Sequence, residues 1–145
     1  MKERIQVRIS DKVLKRFRLR VRVITSRVRR VPKSTLVSEL YRYMAGWAGH
    51  YARFPGTETQ LKDLDGWVRR RLRQWLWVEW KTVGNRRHHL RRGGAKPCDI
   101  DRAVHIRSAW RVSTHPALNV CVSNARIAKA GLRPLISFWQ RFALL

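Results

Sequence analysis

The side chains in this sequence best suited to act on another molecule are guanidinium groups interleaved with indoles. Arg70, Arg73, Trp77 and Lys81 step by three, four and four residues along one predicted helix, with Arg69 and Trp80 beside them. Arg neutralises phosphate, and Trp offers a plane for an unpaired base, worth roughly 1–3 kcal/mol per base in single-strand binders. The plainer role for these indoles is to seal the joint between bundle and C-terminal unit; Trp75 is assigned to it, Trp77 and Trp80 lean towards it, and Trp77 is kept as a candidate for the binding face as well. Residues 12–33 hold ten basic side chains and no acid, and residues 81–96 hold six and none. A solvated surface ordinarily mixes both signs, so nucleic acid is the economical explanation for both segments.

Covalent chemistry has little to work with. The sequence contains no G-x-S-x-G, Walker loop, H-E-x-x-H or G-x-G-x-x-G pattern. Asp63 and Asp65 diverge on a helix and cannot share a metal. Asp99 and Asp101 flank a helix start, where capping is the ordinary role. His88-His89 suits a solvated or phosphate-facing pair. Cys98 and Cys121, with His105 and His115 between them, fit no common zinc spacing. No catalytic or metal-binding residue is assigned, and no cofactor is expected.

Charge and composition set the frame. Lys and Arg total 33 against 9 Asp and Glu, a formal net charge of +24, and 25 of the 33 are Arg. Such an excess argues against a self-sufficient small-molecule enzyme and for an anionic polymer as partner. A hydrophobic share of 44% with seven Trp excludes a disordered basic tail. No apolar run approaches the roughly 18 residues of a membrane span. The start lacks the apolar core of a secretory signal, and two unpaired cysteines fit a reducing compartment. The expected location is the cytoplasm of a bacterium or an organelle matrix, without membrane contact.

The elements that must position these side chains are helices. Residues 4–9 alternate like a short strand with nothing to pair with. Ser10-Asp11 caps a first helix whose stripe is Leu14, Phe17, Val21, Ile24 and Val28, ending at Val31-Pro32. Ser34 caps a second, with Val37, Leu40, Met44, Trp47 and Tyr51 inward and Gly46 and Gly49 allowing close backbone approach. Thr57 and Gln60 form a capping-box pattern opening the third, with Leu61, Leu64, Val68, Leu72 and Trp75 inward. Beyond Gly84 come shorter pieces. A basic segment stops at Gly93-Gly94, and a short helix follows over 99–107. Trp110-Arg111-Val112 is expected to be extended. A helix from His115-Pro116 runs to Gly131 with Leu118, Val122 and Ala125 inward, and an apolar segment follows Pro134. The predicted fold is all-α: a possible strand within 1–10, a three-helix bundle over 11–83, and a small basic helical unit over 84–145.

Several stretches resemble the maturase-specific region of group II intron-encoded reverse transcriptases. They are Ile9-Ser10-Asp11-Lys12-Val13-Leu14-Lys15-Arg16-Phe17, Glu39-Leu40 with Gly46-Trp47 and Tyr51, and Leu64-Asp65-Gly66-Trp67-Val68-Arg69-Arg70-Arg71-Leu72. Trp77-Val78-Glu79-Trp80-Lys81 looks like the family's tryptophan–lysine stretch. Trp110-Arg111, His115-Pro116-Ala117-Leu118-Asn119, Ser123-Asn124-Ala125 and Gly131 to Leu145 look like its C-terminal continuation. The family's Asn-Pro before the Gly-Trp turn is replaced here by Tyr41-Arg42. Its Arg-Lys-Gly run before the later Trp-Arg is replaced by Ile106-Arg107-Ser108-Ala109.

The resemblance implies a helical thumb that grips intron RNA and promotes splicing, followed by a small unit that contacts target DNA during intron mobility. The RNA would meet Lys15, Arg16, Arg18, Arg22, Arg29, Arg30, Arg69, Arg70, Arg73, Trp77 and Lys81. The DNA would meet Arg86, Arg87, Arg91, Arg92, Arg107 and Arg111. The family's paired polymerase aspartates are absent from this sequence, so Mg2+ is expected only on a separate polymerase core and on the intron RNA. The chain is then expected to be a fragment or remnant whose residues 4–9 once belonged to a palm, with a reverse transcriptase fingers–palm domain as possible partner. The rival expectations are a non-specific basic RNA- or DNA-binding protein and a subunit complementing a separately encoded reverse transcriptase core.

Overall fold

A computed structural model describes residues 7–143, with the side chains of 142 and 143 outside that description. The described residues form α-helices, one 3-10 turn and no strand. The helices are α1 (Asp11–Ile24), α2 (Lys33–Tyr51), α3 (Glu58–Glu79), α4 (Val83–Arg92), α5 (Pro97–Ala103), α6 (Ala109–Val112), α7 (Pro116–Cys121), α8 (Asn124–Lys129) and α9 (Leu135–Ala143). Among the described residues, no helix is long and apolar enough to cross a membrane. Of the strand expected within 1–10, residues 1–6 lie outside the described residues. Residues 7–10 are irregular. There the Gln60 side chain brackets Ile9, its Oε1 accepting from Ile9 N at 2.8 Å and its Nε2 donating to Ile9 O at 3.0 Å.

The chain divides into two compact units, residues 1–67 with 131–145, and residues 68–130. This differs from the expected division at 83/84. Gly84 and the loop before it look like a boundary in sequence, yet α3 supplies residues to both units.

In the first unit, the Ser10 hydroxyl accepts from Val13 N at 3.4 Å to start α1, and Phe17, Val21 and Ile24 are buried along one stripe. The stripe is shorter than periodicity suggested: Leu14 is only half-buried and Val28 is 88% exposed. The helix ends at Ile24 because Thr25 Oγ1 donates back to Val21 O and Arg29 Nη1 donates to Ile24 O. Arg30 then turns left-handed at φ 47°. After Pro32, α2 begins at Lys33, so Ser34 lies inside the helix rather than capping it. It buries Leu36, Val37, Leu40, Met44 and Trp47, while Tyr51 stays half-buried. Phe17 anchors the packing, with ring centroids 4.8 Å from Trp47 and 5.7 Å from Tyr43. Gly46 and Gly49 make no close approach; a Cβ at either would meet nothing within 4 Å.

The capping box at α3 does not close, since Thr57 Oγ1 donates to Phe54 O and Gln60 is engaged with Ile9. Leu61 and Leu64 are buried as expected. Asp65, 2% exposed, instead caps a different helix, accepting from Leu135 N at 2.6 Å and Ile136 N at 3.0 Å at the start of α9. That helix packs on α2.

In the second unit, α4, α5 and α7 pack against one another around Leu90, Ile100, Ala103 and Leu118, and Val68, Leu72, Trp75 and Val122 are also buried. Thr82 caps α4 by accepting from Asn85 N, and Gly94 turns out of it at φ 86°. Trp110-Arg111-Val112 is a helical turn rather than extended, because the Ser108 hydroxyl accepts from Arg111 N. The long helix expected from Pro116 to Gly131 is broken at Val122 (ψ 67°) and restarts under a Ser123 cap, leaving Ala125 exposed.

Candidate nucleic-acid interface

The amphipathic geometry of α1 sorts its charges. With Phe17, Val21 and Ile24 turned inward, Lys12, Lys15, Arg16, Arg20 and Arg22 are exposed and Arg18 is half-exposed. None of these forms an ion pair among the described residues, unlike Arg29 with Glu39, Lys62 with Glu58 and Arg87 with Asp101. Arg22 lies over the Trp67 ring, its Cζ 5.4 Å from the centroid. Arg30 is exposed, but Arg29 is half-buried and held by Glu39 at 2.6 Å. Beside them is a concave basin of about 500 Å³ lined by Arg20, Arg29, Arg42, Glu39 and Tyr43 with Val23 and Ile24. Burial pushes the Tyr43 phenol up from its ordinary value, against the pull of the Arg20 charge. The basin is thus a cationic hollow with a neutral phenol in its wall.

In the second unit the Arg/Trp face of α3 is not free. Trp77 is fully buried, so it cannot offer a stacking plane. Its ring instead receives the Arg86 guanidinium at 4.7 Å, and Arg86 Nε donates to Trp77 O at 2.9 Å. Arg73 is 7% exposed; its Nε donates to Val122 O at 2.9 Å and its Nη2 to Asn124 Oδ1 at 2.8 Å. Burial, then the nearby Arg69 charge, lowers its affinity for the proton. These two positions are structural: the middle of the 3-4-4 stripe that looked like a binding face points into the unit. Trp80 is buried as well, and the ring of His89 stacks on it at 4.5 Å and 11°.

Arg70 is half-buried and clamped, its Nε donating to Ser113 Oγ at 2.8 Å and its Nη2 to Trp110 O at 3.1 Å. Its Cζ sits 3.2 Å from the centroid of the Trp110 ring. Arg69 is half-buried, while Lys81 is exposed at a left-handed φ of 58°. Of the residues assigned to DNA, Arg91, Arg92, Arg107 and Arg111 are exposed. Arg86 is tied to Trp77, and Arg87 is paired with Asp101, whose carboxyl is held below its usual range chiefly by that hydrogen bond. Sequence periodicity missed the Arg70–Trp110 pair because its partners are forty residues apart. The Trp110-Arg111 dipeptide was its only local trace.

Among the described residues, no three His, Cys, Asp or Glu side chains gather as a metal site. Both cysteines are free; Cys121 donates to His89 O at 3.2 Å, and burial raises its thiol above the ordinary value. The exposed charge is cationic, carried by α1 in one unit and by the exposed Arg residues of the other.

No curated protein matches the sequence. A family model described as the group II intron, maturase-specific domain matches residues 14–94, more than half of the chain. That span opens in the cationic helix α1, takes in the buried Arg73 and Trp77, and closes at the Gly93-Gly94 stop, and on it the chain belongs to the group II intron maturase-specific domain family.

Proposed function

We propose that this protein binds the structured RNA of a group II intron and helps it reach its splicing-competent fold. The observation that carries the reading is α1, whose exposed face bears Lys12, Lys15, Arg16, Arg20 and Arg22 with no acidic partner. A helix so charged is self-repelling until phosphates neutralise it. Family membership supports intron RNA as that polymer, and the basin beside Arg20 and Arg42 suits a backbone phosphate at a bend in a folded RNA. Shape then selects the partner while charge supplies the affinity.

The exposed Arg91, Arg92, Arg107 and Arg111 of the second unit support target-DNA contact during intron mobility. A reverse transcriptase fingers–palm domain fits as the protein partner, since the maturase region works beside a polymerase core in the proteins this chain resembles. The RNA reading is tested with a group II intron RNA and a scrambled RNA of equal length over a salt series. Tighter binding to the intron is expected, together with a steep salt slope for both. Equal affinities at every salt concentration would remove the intron-specific reading and leave phosphate binding alone.

A further inference from the structure

Six of the seven tryptophans are buried or half-buried, and the seventh, Trp110, is 48% exposed. A lone surface indole is ordinarily mobile, but this one is held. The Arg70 guanidinium covers one face with its Cζ 3.2 Å from the ring centroid. Arg70 cannot swing away, because Ser113 Oγ and Trp110 O accept from its Nε and Nη2. The Ser113 hydroxyl in turn donates to Trp110 O at 2.6 Å, closing the ring of interactions around the indole's own backbone. The indole is therefore fixed before any ligand arrives, so a partner stacking on it forfeits little rotamer entropy.

The chain around the indole is basic, and the acid nearest it in sequence, Asp101, is engaged by Arg87. Residues 102–145 contain no Asp or Glu. Arg107 and Arg111, both exposed, line a concave basin of about 520 Å³ together with His105, Ile106 and Ser108, on the same short helix and the turn before it. A rigid aromatic plane backed by a cation, next to guanidiniums free to meet phosphate, is the combination by which proteins hold unpaired nucleotides. An acidic or apolar peptide would not need the plane. A duplex would not offer a base face to it.

We propose that Trp110, backed by Arg70, is a stacking platform for an unpaired nucleotide of a single strand, with Arg107 and Arg111 taking the flanking phosphates. This rests on the nucleic-acid-binding reading above but adds a site, a ligand state and a division of labour among residues. The unpaired nucleotide could come from RNA or from a melted DNA target. The two sources share the chemistry and are separated by experiment.

The test uses the full chain with oligoadenylates of about 12 nucleotides, as RNA and as DNA, beside a blunt RNA duplex of equal charge. Trp110→Leu is expected to weaken at least one single strand by about 5- to 150-fold, the span for removing one base–aromatic stack, with duplex binding and the melting temperature unchanged. Trp110→Phe, which keeps a smaller plane, recovers part of the loss. A loss in the RNA arm, the DNA arm or both supports the platform and names its strand. Wild-type affinity of Trp110→Leu for both single strands overturns the platform, and so does an equal loss on the duplex. If Trp110→Leu melts early, Trp110→Phe decides alone: single-strand affinity no weaker than wild type, or weakened no more than the duplex, overturns the site. Failure of the wild-type chain to bind intron RNA is a separate result that would remove the broader reading instead.

Discussion

Asp65 does at one position what a basic chain of this kind has few residues to do. With 9 acids against 33 bases, each carboxylate is scarce, and this one is 2% exposed beneath the first turn of α9. Its two oxygens accept from Leu135 N and Ile136 N, satisfying two of the amides that a helix start leaves without intrahelical partners. The carboxylate also faces the positive end of the α9 dipole. Asp65→Asn keeps the volume but removes the charge and presents an NH2 to one of those amides. It should lower stability by about 1–3 kcal/mol, the range for charge-assisted hydrogen bonds removed from a buried site. Urea unfolding should show a lower midpoint with an unchanged slope. An unchanged midpoint would mean that the cap contributes nothing to holding α9. The motif Leu64-Asp65-Gly66-Trp67 made this residue conspicuous, but its partner is seventy residues away, and no local rule reaches that far.

At the scale of elements, close approach between α4 and α7 fixes the second unit. Gly93 ends α4, and a Cβ built on it would lie 2.5 Å from Cys121 Sγ and 2.7 Å from Cys121 Cα. The Cα is backbone and cannot give way, so Gly93→Ala must move one helix; overpacking of this kind costs about 1–3 kcal/mol. Gly84, inside the first turn of the same helix, has nothing within 4 Å. Gly84→Ala should therefore stabilise by about 0.5–1 kcal/mol through helix propensity alone. Thermal melts followed by circular dichroism should move in opposite directions for the two variants, and a Gly93→Ala melt that stays level or rises would show that the α4–α7 approach is not tight.

The contrast also shows what was legible beforehand. Helix existence and the inward stripe Phe17, Val21, Ile24, Leu40, Met44 and Trp47 follow from a 3.6-residue period, which is a local property. The end of α1 did not, because it depends on the Thr25 and Arg29 side chains reaching back to carbonyls. The inward aim of Arg73 and Trp77 did not either. A charged or amphipathic residue reads as surface until its long-range acceptors, here Val122 O and Asn124 Oδ1, are known. The candidate site was thus half visible: the cationic face of α1 could be drawn from periodicity, whereas the free indole, Trp110, was not among the tryptophans that periodicity selected.

At the scale of the whole molecule, the question is where the charge of +24 acts. Part of it is internal. Arg70, Arg73 and Arg86 donate to carbonyl or side-chain oxygens within the second unit, and each holds a piece of backbone in place. Another part is exposed and unpaired, as on α1, and its repulsion opposes folding until an anion binds. The two kinds should separate under mutation. Replacing Lys12, Lys15, Arg16 and Arg20 together by Gln removes four exposed charges and no hydrogen bond seen in the structure. The melting temperature at low salt should stay level or rise as repulsion falls. Affinity for structured RNA should drop, and the slope of log K against log salt should become shallower by about three, at roughly 0.7–0.9 for each phosphate no longer neutralised. A lower melting temperature would show that these side chains support the fold. An unchanged slope would show that the RNA is gripped elsewhere, and the cationic face of α1 would then need another partner.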